Sequence, residues 1–184
     1  MNNDNDWVDV MTPAQLTDIW AAGTTSETWS DISRDWPDEP LDLFGPAPSR
    51  ELSQYVSATV GGDEQRIRED RETTEDFSVL LQAVAGNVLA SSPLSYSDYA
   101  TSPDTVKVLG IETDGRIVDP TLDAASEYPY TRPCYLYVNS SAYERRAAVR
   151  EFVRAYASSA TALPAEYGFV PIDESVAAEN RARL

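Results

Sequence analysis

Apolar and polar residues follow two different periods along this chain, and the two are interleaved from end to end. Apolar residues spaced by three and four positions predict helices, and short apolar runs predict strands. Helices are predicted from Pro13 to just before Gly23, from a cap at Ser49 to about Val60, from Thr74 to about Gly86, from Tyr143 to Ser158, from Ala160 to Tyr167, and from Asp173 or Ser175 to near the C-terminus. Strands are predicted at 41–44, 88–90, 106–111 and 134–138. This mixture is typical of an α/β fold.

Two of these elements carry clear local signals. Thr12 and Gln15 match the two ends of a capping box, and Pro13 lies at the first helical position. The run CYLYV at 134–138 is the best strand in the chain, so we expect Cys134 to be a small buried apolar residue. The tryptophans are expected to pack in the core.

The charge balance excludes one broad class of partner. The chain has 31 acidic residues against 14 basic ones, a formal net charge of -17 and one lysine, Lys107. Such a surface repels nucleic-acid phosphates, so a nucleic-acid-binding role is not expected. A highly acidic protein with almost no lysine is typical of halophilic organisms, and we expect a haloarchaeal source.

Residues for catalysis or metal binding are scarce. There is no histidine, and Cys134 is the only cysteine, which excludes an intrachain disulfide, histidine ligands and a histidine-containing triad. No spacing singles out two carboxylates for hydrolysis. Arg66, Arg68 and Arg71 are interleaved with carboxylates and are expected to form a solvated face. The sequence predicts no enzyme, no metal site and no cofactor.

Membrane and export signals are also missing from the sequence as written. No run of about 18 apolar residues occurs, so no membrane-spanning helix is predicted. The first six residues, MNNDND, match neither a signal peptide nor a lipoprotein anchor. If expressed as written, the chain is expected in the cytoplasm.

Four blocks of the chain resemble one family of transport proteins. They are LTDIW at 16–20 with TWSDI at 28–32, FGP at 44–46, YPYTRPCYLYV at 128–138, and EFV at 151–153 with YGFVPI at 167–172. Their order and content resemble the PstS-type phosphate-binding proteins of ABC importers. The third block is similar to the family's YPLSRPLYIYV strand, which leads the chain back toward the first lobe.

The resemblance implies an architecture. It implies one lobe of a type II periplasmic-binding-protein-like α/β fold, with a mixed sheet flanked by helices and with extra C-terminal helices. Residues 1–184 would form a single domain, in which about 8–131 make lobe two and about 132–184 make the return strand and C-terminal helices. Most of the first lobe would be missing, as in a truncated product, a fragment or half of a split protein.

The resemblance also implies a ligand and partners. The ligand would be inorganic phosphate or another oxyanion. The protein would work outside the cytoplasm, at the cell surface, and its partner would be an ABC permease in the membrane. A separate first-lobe chain or a homodimer would supply the missing face. Phosphate binding by this chain alone is expected to be weak or undetectable. The alternative is a degenerate interaction or structural protein that has lost its transport function.

The candidate anion site is the start of the second helix, at Ser49 and Arg50. Helix N-termini offer free N–H groups and a positive dipole end to an anion. The family carries a Ser-Gly-Thr run here, whereas this chain reads Ser49-Arg50-Glu51-Leu52. Glu51 would compete with an anion for the same N–H groups. In the alternative interpretation, Ser49 is an ordinary helix cap and Arg50 an exposed arginine.

Overall fold

The computed structural model describes every residue from Met1 to Leu184, and the chain divides into two compact units, Met1–Tyr130 and Thr131–Leu184. The strands are β1 (Val10–Met11), β2 (Asp42–Pro46), β3 (Glu72–Thr74), β4 (Ala90–Ser91), β5 (Gly110–Thr113) and β6 (Arg116–Val118). The helices are α1 (Pro13–Trp20), α2 (Trp29–Ile32), α3 (Glu51–Val60), α4 (Phe77–Gly86), α5 (Tyr96–Ala100), α6 (Ser140–Arg145), α7 (Ala147–Ser159), α8 (Leu163–Glu166) and α9 (Glu174–Ala182). A single 3₁₀ turn follows α3 at Gly62–Glu64. All six strands lie in the first unit.

One sheet of the first unit is entirely parallel and has β2 at its centre. Its strand order is β3-β2-β4, with Pro46 opposite Thr74 and Leu43 opposite Ser91. Helix α3 connects β2 to β3, and α4 connects β3 to β4. Parallel neighbours require such crossover connections, so the carboxyl ends of all three strands lie at one edge.

The other sheet of the first unit mixes parallel and antiparallel pairs. Strand β1 is parallel to β5, and β5 is antiparallel to β6. The two-residue turn at Asp114 and Gly115 has φ angles of 51° and 72°. Two adjacent positive φ angles suit the tight hairpin turn that matches the twist of the strands.

Tryptophans occupy the core of the first unit, as the sequence predicts. Trp29 is fully buried, and its Nε1 donates a hydrogen bond to the carbonyl of Leu89 at 3.2 Å. The rings of Trp7 and Trp36 contact it edge-on, with centroids 6.5 and 5.9 Å away. Edge-to-face aromatic contacts of this kind add to the stabilisation from apolar burial.

The capping box at the start of α1 is confirmed. The amide of Gln15 donates to Thr12 Oγ1 at 3.2 Å, and the amide of Thr12 donates to Gln15 Oε1 at 2.9 Å. Ile19 and Trp20, at the end of the same helix, are buried in the core. The cap therefore fixes the start of a helix whose last turn helps to form the core of the first unit.

The strand predicted at 134–138 does not form within this chain. The segment forms no strand, and Cys134 is exposed rather than buried. Tyr135 and Tyr137 are 71% and 90% exposed. A strand is defined by hydrogen bonds to a neighbour, and no strand of this chain pairs with the segment. Apolar alternation therefore predicts a strand at 134–138, but a strand also requires a neighbouring strand to pair with, and this chain provides none.

The predicted helix from Tyr143 to Ser158 is two helices, α6 and α7. They are separated at Arg146, whose backbone is extended with φ -116° and ψ 109°. The guanidinium of Arg150 donates to the carbonyls of Tyr143 and Glu144 at 3.2 and 3.1 Å. This side chain satisfies carbonyls that would otherwise lack partners at the end of α6, which stabilises the break.

Other predicted elements occur in shifted or shorter form. The strands predicted at 41–44, 88–90 and 106–111 correspond to β2, β4 and β5, and the helix predicted from Ala160 shortens to α8. Asp76 and Asp173 occupy the cap positions of α4 and α9. None of the helices is both long and apolar enough to cross a bilayer.

The capping box yields a stability prediction. Thr12→Ala removes the side-chain acceptor for the Gln15 amide and should lower the free energy of unfolding by about 1 kcal/mol, measured by urea denaturation. Thr59→Ala is the matched control, because the Thr59 hydroxyl only bonds back to the carbonyls of Tyr55 and Val56 within α3. The control should change stability by less than about 0.5 kcal/mol. Equal losses in both variants would contradict a specific role for the cap.

Candidate functional site

The candidate site lies at the carboxyl edge of the parallel sheet. Strands β2 and β3 end there at Pro46 and Thr74, and α3 and α4 begin a few residues further on. The amide of Ala47 donates to the carbonyl of Thr74 at 2.9 Å, which joins the two strand ends. Ligands of open α/β sheets bind at this edge, where first-turn N–H groups favour negative charge.

Ser49 is not the helix cap that the sequence predicts. Arg50 occupies the cap position, with extended backbone angles of φ -78° and ψ 142°, and Ser49 lies one residue earlier. The amide of Arg50 donates to the carbonyl of Ala47 at 2.9 Å and closes a tight turn. This turn holds Ser49 outside the helix, where its hydroxyl donates to Glu75 Oε1 at 2.7 Å.

Arg50 is half-buried, in contrast to the exposed arginine of the alternative interpretation. Its guanidinium lies over the ring of Phe77, 5.0 Å from the centroid, at the start of α4. A cation over an aromatic face gains electrostatic stabilisation from the ring. Ser49 and Arg50 therefore lie together in the structure, and both contact the segment that begins α4.

Asp76 caps α4 with its carboxylate. Its Oδ1 accepts from the amide of Ser78 at 2.8 Å and from the Ser78 hydroxyl at 2.7 Å. The Ser78 hydroxyl, then the Ser78 amide, hold the pKa of Asp76 below its ordinary value, and the charge of Arg50 acts in the same direction. The ionised carboxylate takes the place that an external anion would need at this helix start.

The edge therefore carries its own negative charge. Glu51 lies in the first turn of α3, Glu75 accepts the Ser49 hydroxyl, and Asp76 caps α4. Like charges at short range repel, so an incoming oxyanion meets three carboxylates around two helix starts. No group of three metal-ligating side chains in the chain is close enough to hold a metal ion.

The arginine cluster does not form the solvated face that the sequence predicts. The Arg68 side chain is only 13% exposed and donates to both carboxylate oxygens of Asp70 at 2.6 Å. It also donates to the carbonyl of Ser26 at 2.8 Å. Arg71 is half-buried beside Gly45 of β2, and Arg66 alone remains largely exposed. The alternation of arginines and carboxylates in the sequence does not indicate that Arg68 and Arg71 are buried, because their burial depends on contacts with residues distant in sequence, at Ser26 and at Gly45 of β2.

The chain is similar to phosphate-binding proteins. It is 29% identical over 178 residues to Protein SphX of Synechocystis sp., covering 94% of this chain and 53% of that protein. It is 24% identical over 187 residues to Phosphate-binding protein PstS of Staphylococcus saprophyticus, covering 100% of this chain and 57% of that protein. The chain thus spans little more than half the length of the curated relatives it matches. No family model matches it.

A solved structure shows the same likeness. The crystal structure described as "a possible phosphate binding protein" from Planctomyces limnophilus superposes with a TM-score of 0.83 at 25% identity. The match covers 100% of this chain and 66% of that one. The predicted fold class, one α/β lobe of the type II periplasmic-binding-protein kind with a mixed sheet flanked by helices, is confirmed. The division into lobe two at about 8–131 and a return segment at about 132–184 stays a prediction.

The cap of α4 predicts a titration. The Asp76 carboxyl should titrate below its ordinary value, and Ser78→Ala should raise that pKa by removing the hydroxyl donor. Because the pKa of Asp76 is lower in the folded state, the ionised carboxylate stabilises that state at pH values above the ordinary pKa. This stabilisation is lost as the pH falls through the folded-state pKa.

Side-chain carboxyl NMR in an acid titration measures both effects. Ser158→Ala is the control, since the Ser158 hydroxyl bonds within α7 and should leave the Asp76 titration unchanged. A Ser78→Ala variant with an unchanged Asp76 pKa would contradict the assigned hydrogen bonds.

Proposed function

We propose that this chain provides one lobe, with its returning segment, of a phosphate-type solute-binding protein of an ABC importer. The observation that carries the proposal is the sequence similarity to SphX and PstS proteins along almost the whole chain. The superposition on the Planctomyces limnophilus protein, which covers the full chain, supports it independently. This role is binding rather than catalysis, and its place of work is outside the cytoplasm, beside an ABC permease.

A single lobe accounts for the proposed weakness of binding. In solute-binding proteins of this kind, two lobes close on the ligand about a hinge. The relatives are longer than the region matched here, so the opposing surface belongs to a first lobe, in the same polypeptide or in another. The described lobe offers only one wall of such a site. Phosphate or a related oxyanion is therefore proposed to bind weakly, or not at all, to these residues alone.

The local charges weaken binding further. The Ser49 hydroxyl is committed to Glu75, and the Arg50 guanidinium to the ring of Phe77. An incoming phosphate has to replace the Ser49–Glu75 hydrogen bond and approach Glu51 as well. Since net hydrogen-bond contributions are small and charge repulsion opposes entry, we propose that this edge binds phosphate less tightly than a Ser-Gly-Thr loop would.

The second unit supports the proposed need for a first lobe. Its segment 131–139 contains the exposed side chains of Tyr135, Leu136 and Tyr137 but no strand. Extended segments of alternating aromatic and apolar residues add readily to the edge of a sheet. We propose that this segment is the return strand and that it pairs with the sheet of a first lobe.

A second function rests on the same observations. A protein whose anion edge is filled by its own carboxylates could serve in assembly instead of transport. The exposed aromatic segment would then contact a second copy or a separate chain. A stable dimer in light scattering, lost on Tyr137→Asp but kept in Ser158→Asp, would favour this function over transport.

Calorimetry with inorganic phosphate tests the anion site. We expect no saturable heat from the chain itself at micromolar phosphate. Glu75→Gln should strengthen binding by roughly 10-fold, because it removes one negative charge beside Ser49 without changing the size of the side chain. Glu112→Gln removes the same charge from the exposed face of β5 and should have no effect.

Two results would contradict this account of the site. One is micromolar phosphate affinity in the unmodified chain that Ser49→Ala or Arg50→Ala abolishes. The other is an equal gain in affinity from Glu75→Gln and from Glu112→Gln, since that would reflect net charge rather than the local arrangement.

A further inference from the structure

A cleft of about 340 Å³ opens in the first unit beside α3. Neutral polar groups, arginines and one carboxylate line it: Pro48, Ser53, Gln54, Ser57, Arg66, Ile67, Glu69, Arg71 and Thr73. Neither Ser49, Arg50 nor Glu75 belongs to this lining. The cleft therefore adjoins the candidate anion edge at Pro48 and Thr73 without including those three side chains.

Arg71 is the unusual group in this cleft. Its Nη1 donates to the carbonyl of Arg68, and its Nε is buried without a hydrogen-bond partner. Gly45 allows this approach, since a Cβ atom there would lie 3.3 Å from the Arg71 Nε. The guanidinium is thus pressed against the centre of the parallel sheet with one of its donors unused.

No carboxylate forms an ion pair with Arg71. The adjacent Asp70 forms an ion pair with Arg68, and Oε1 of Glu69 lies 3.4 Å from Nη2 of Arg66. Burial lowers the pKa of Arg71, and the charges of Glu69 and Asp70 offset this only in part. In a chain with 31 acidic residues, a partly desolvated cation without an ion-pair partner is a cost that the fold compensates only in part.

Neutral polar groups line the same cleft as Arg71. Ser53 is buried, Gln54 and Thr73 bring an amide and a hydroxyl to the same cleft, and the Ser57 hydroxyl there donates to the carbonyl of Ser53 at 2.9 Å. These groups add hydrogen-bonding capacity without negative charge. Arg66, whose side chain is 63% exposed, brings a second cation. Arginine with neutral donors is the combination that recognises oxygen-bearing anions in proteins.

We propose that this cleft binds the oxyanion group of a small solute, a phosphate, sulfate or carboxylate, with Arg71 as its main contact. The bound anion would form the ion pair that no carboxylate of the chain forms with Arg71. Glu69 faces the same cleft and limits the number of negative charges that it accepts. Ser49, Arg50 and Glu75 do not line this site, so variants at those residues test the transport proposal separately.

Amide chemical-shift mapping on the full chain tests the proposal. Inorganic phosphate, sulfate and acetate are titrated separately at constant ionic strength. We expect saturable shifts at the amides of Ser53, Ser57 and Thr73 with at least one probe. Comparison of the three probes identifies the favoured anion chemistry. Arg71→Gln should weaken that binding by roughly 10- to 100-fold, the loss expected for hydrogen bonds to a charged group.

Two further variants make the result decisive. Arg34→Gln removes an exposed arginine elsewhere on the first unit and should leave the shifts unchanged. Arg71→Lys keeps the charge but loses the planar donor pair, so it should weaken binding even if Arg71→Gln fails to fold.

The proposal is overturned if none of the three probes produces saturable shifts at those amides, or if the shifts persist unchanged in the Arg71 variants. Phosphate-induced shifts confined to the amides of residues 50–52 and 76–78 would also overturn it, and they would support phosphate binding at the Ser49 edge instead. Shifts in the cleft alone would support this site and leave the transport proposal to be decided by calorimetry.

Discussion

The parallel pairing of β2 between β3 and β4 is the constraint on which the rest of the first unit depends. Each parallel neighbour has to be reached through a crossover helix, so α3 and α4 both begin at the same edge of the sheet. Residues 26 positions apart in sequence, Ser49 and Glu75, are thereby brought within hydrogen-bonding distance. The same pairing presses Arg71 against Gly45 and places it beside α3. Both candidate sites are consequences of one strand arrangement.

Electrostatics decides what this edge can bind. The positive ends of two helix dipoles would ordinarily attract an anion. Here Glu51 and Asp76 occupy the first turn of α3 and the cap of α4, so the chain supplies its own negative charge. The situation near Arg71 is the reverse, because a cation is desolvated and the neighbouring carboxylates are committed elsewhere. At these two sites of the first unit, the positions of a few arginines and carboxylates matter more than the net charge of -17 of the whole chain.

The predictable features were those determined by neighbours in sequence. The capping box of Thr12 and Gln15 involves residues three positions apart, and it formed as expected. The strand at 134–138 failed because a strand exists only through a hydrogen-bonded neighbour, which no periodicity can reveal. The fold class, in contrast, could be recognised from the order of four sequence blocks.

At the candidate site, Ser49 and Arg50 lie together in the structure, but Ser49 does not have the role of helix cap that its sequence position predicts. Serine before a helix is often its cap, which is why the sequence predicts that role for Ser49, but the turn closed by Ala47 and Arg50 leaves Ser49 outside α3. The contacts of Ser49 with Glu75 and of Arg50 with Phe77 cross from one helix start to another. The burial of Arg71 is likewise tertiary, since it depends on a glycine in a neighbouring strand. No local pattern encodes these distances.

The central claim is that the chain's own carboxylates fill the edge where this fold would hold an anion. A crystal structure of the chain grown in excess phosphate tests it most directly. We expect the Ser49 hydroxyl to remain bonded to Glu75, with no phosphate density on the first-turn amides of α3. A phosphate seated on those amides, with Glu75 displaced from Ser49, would contradict the account.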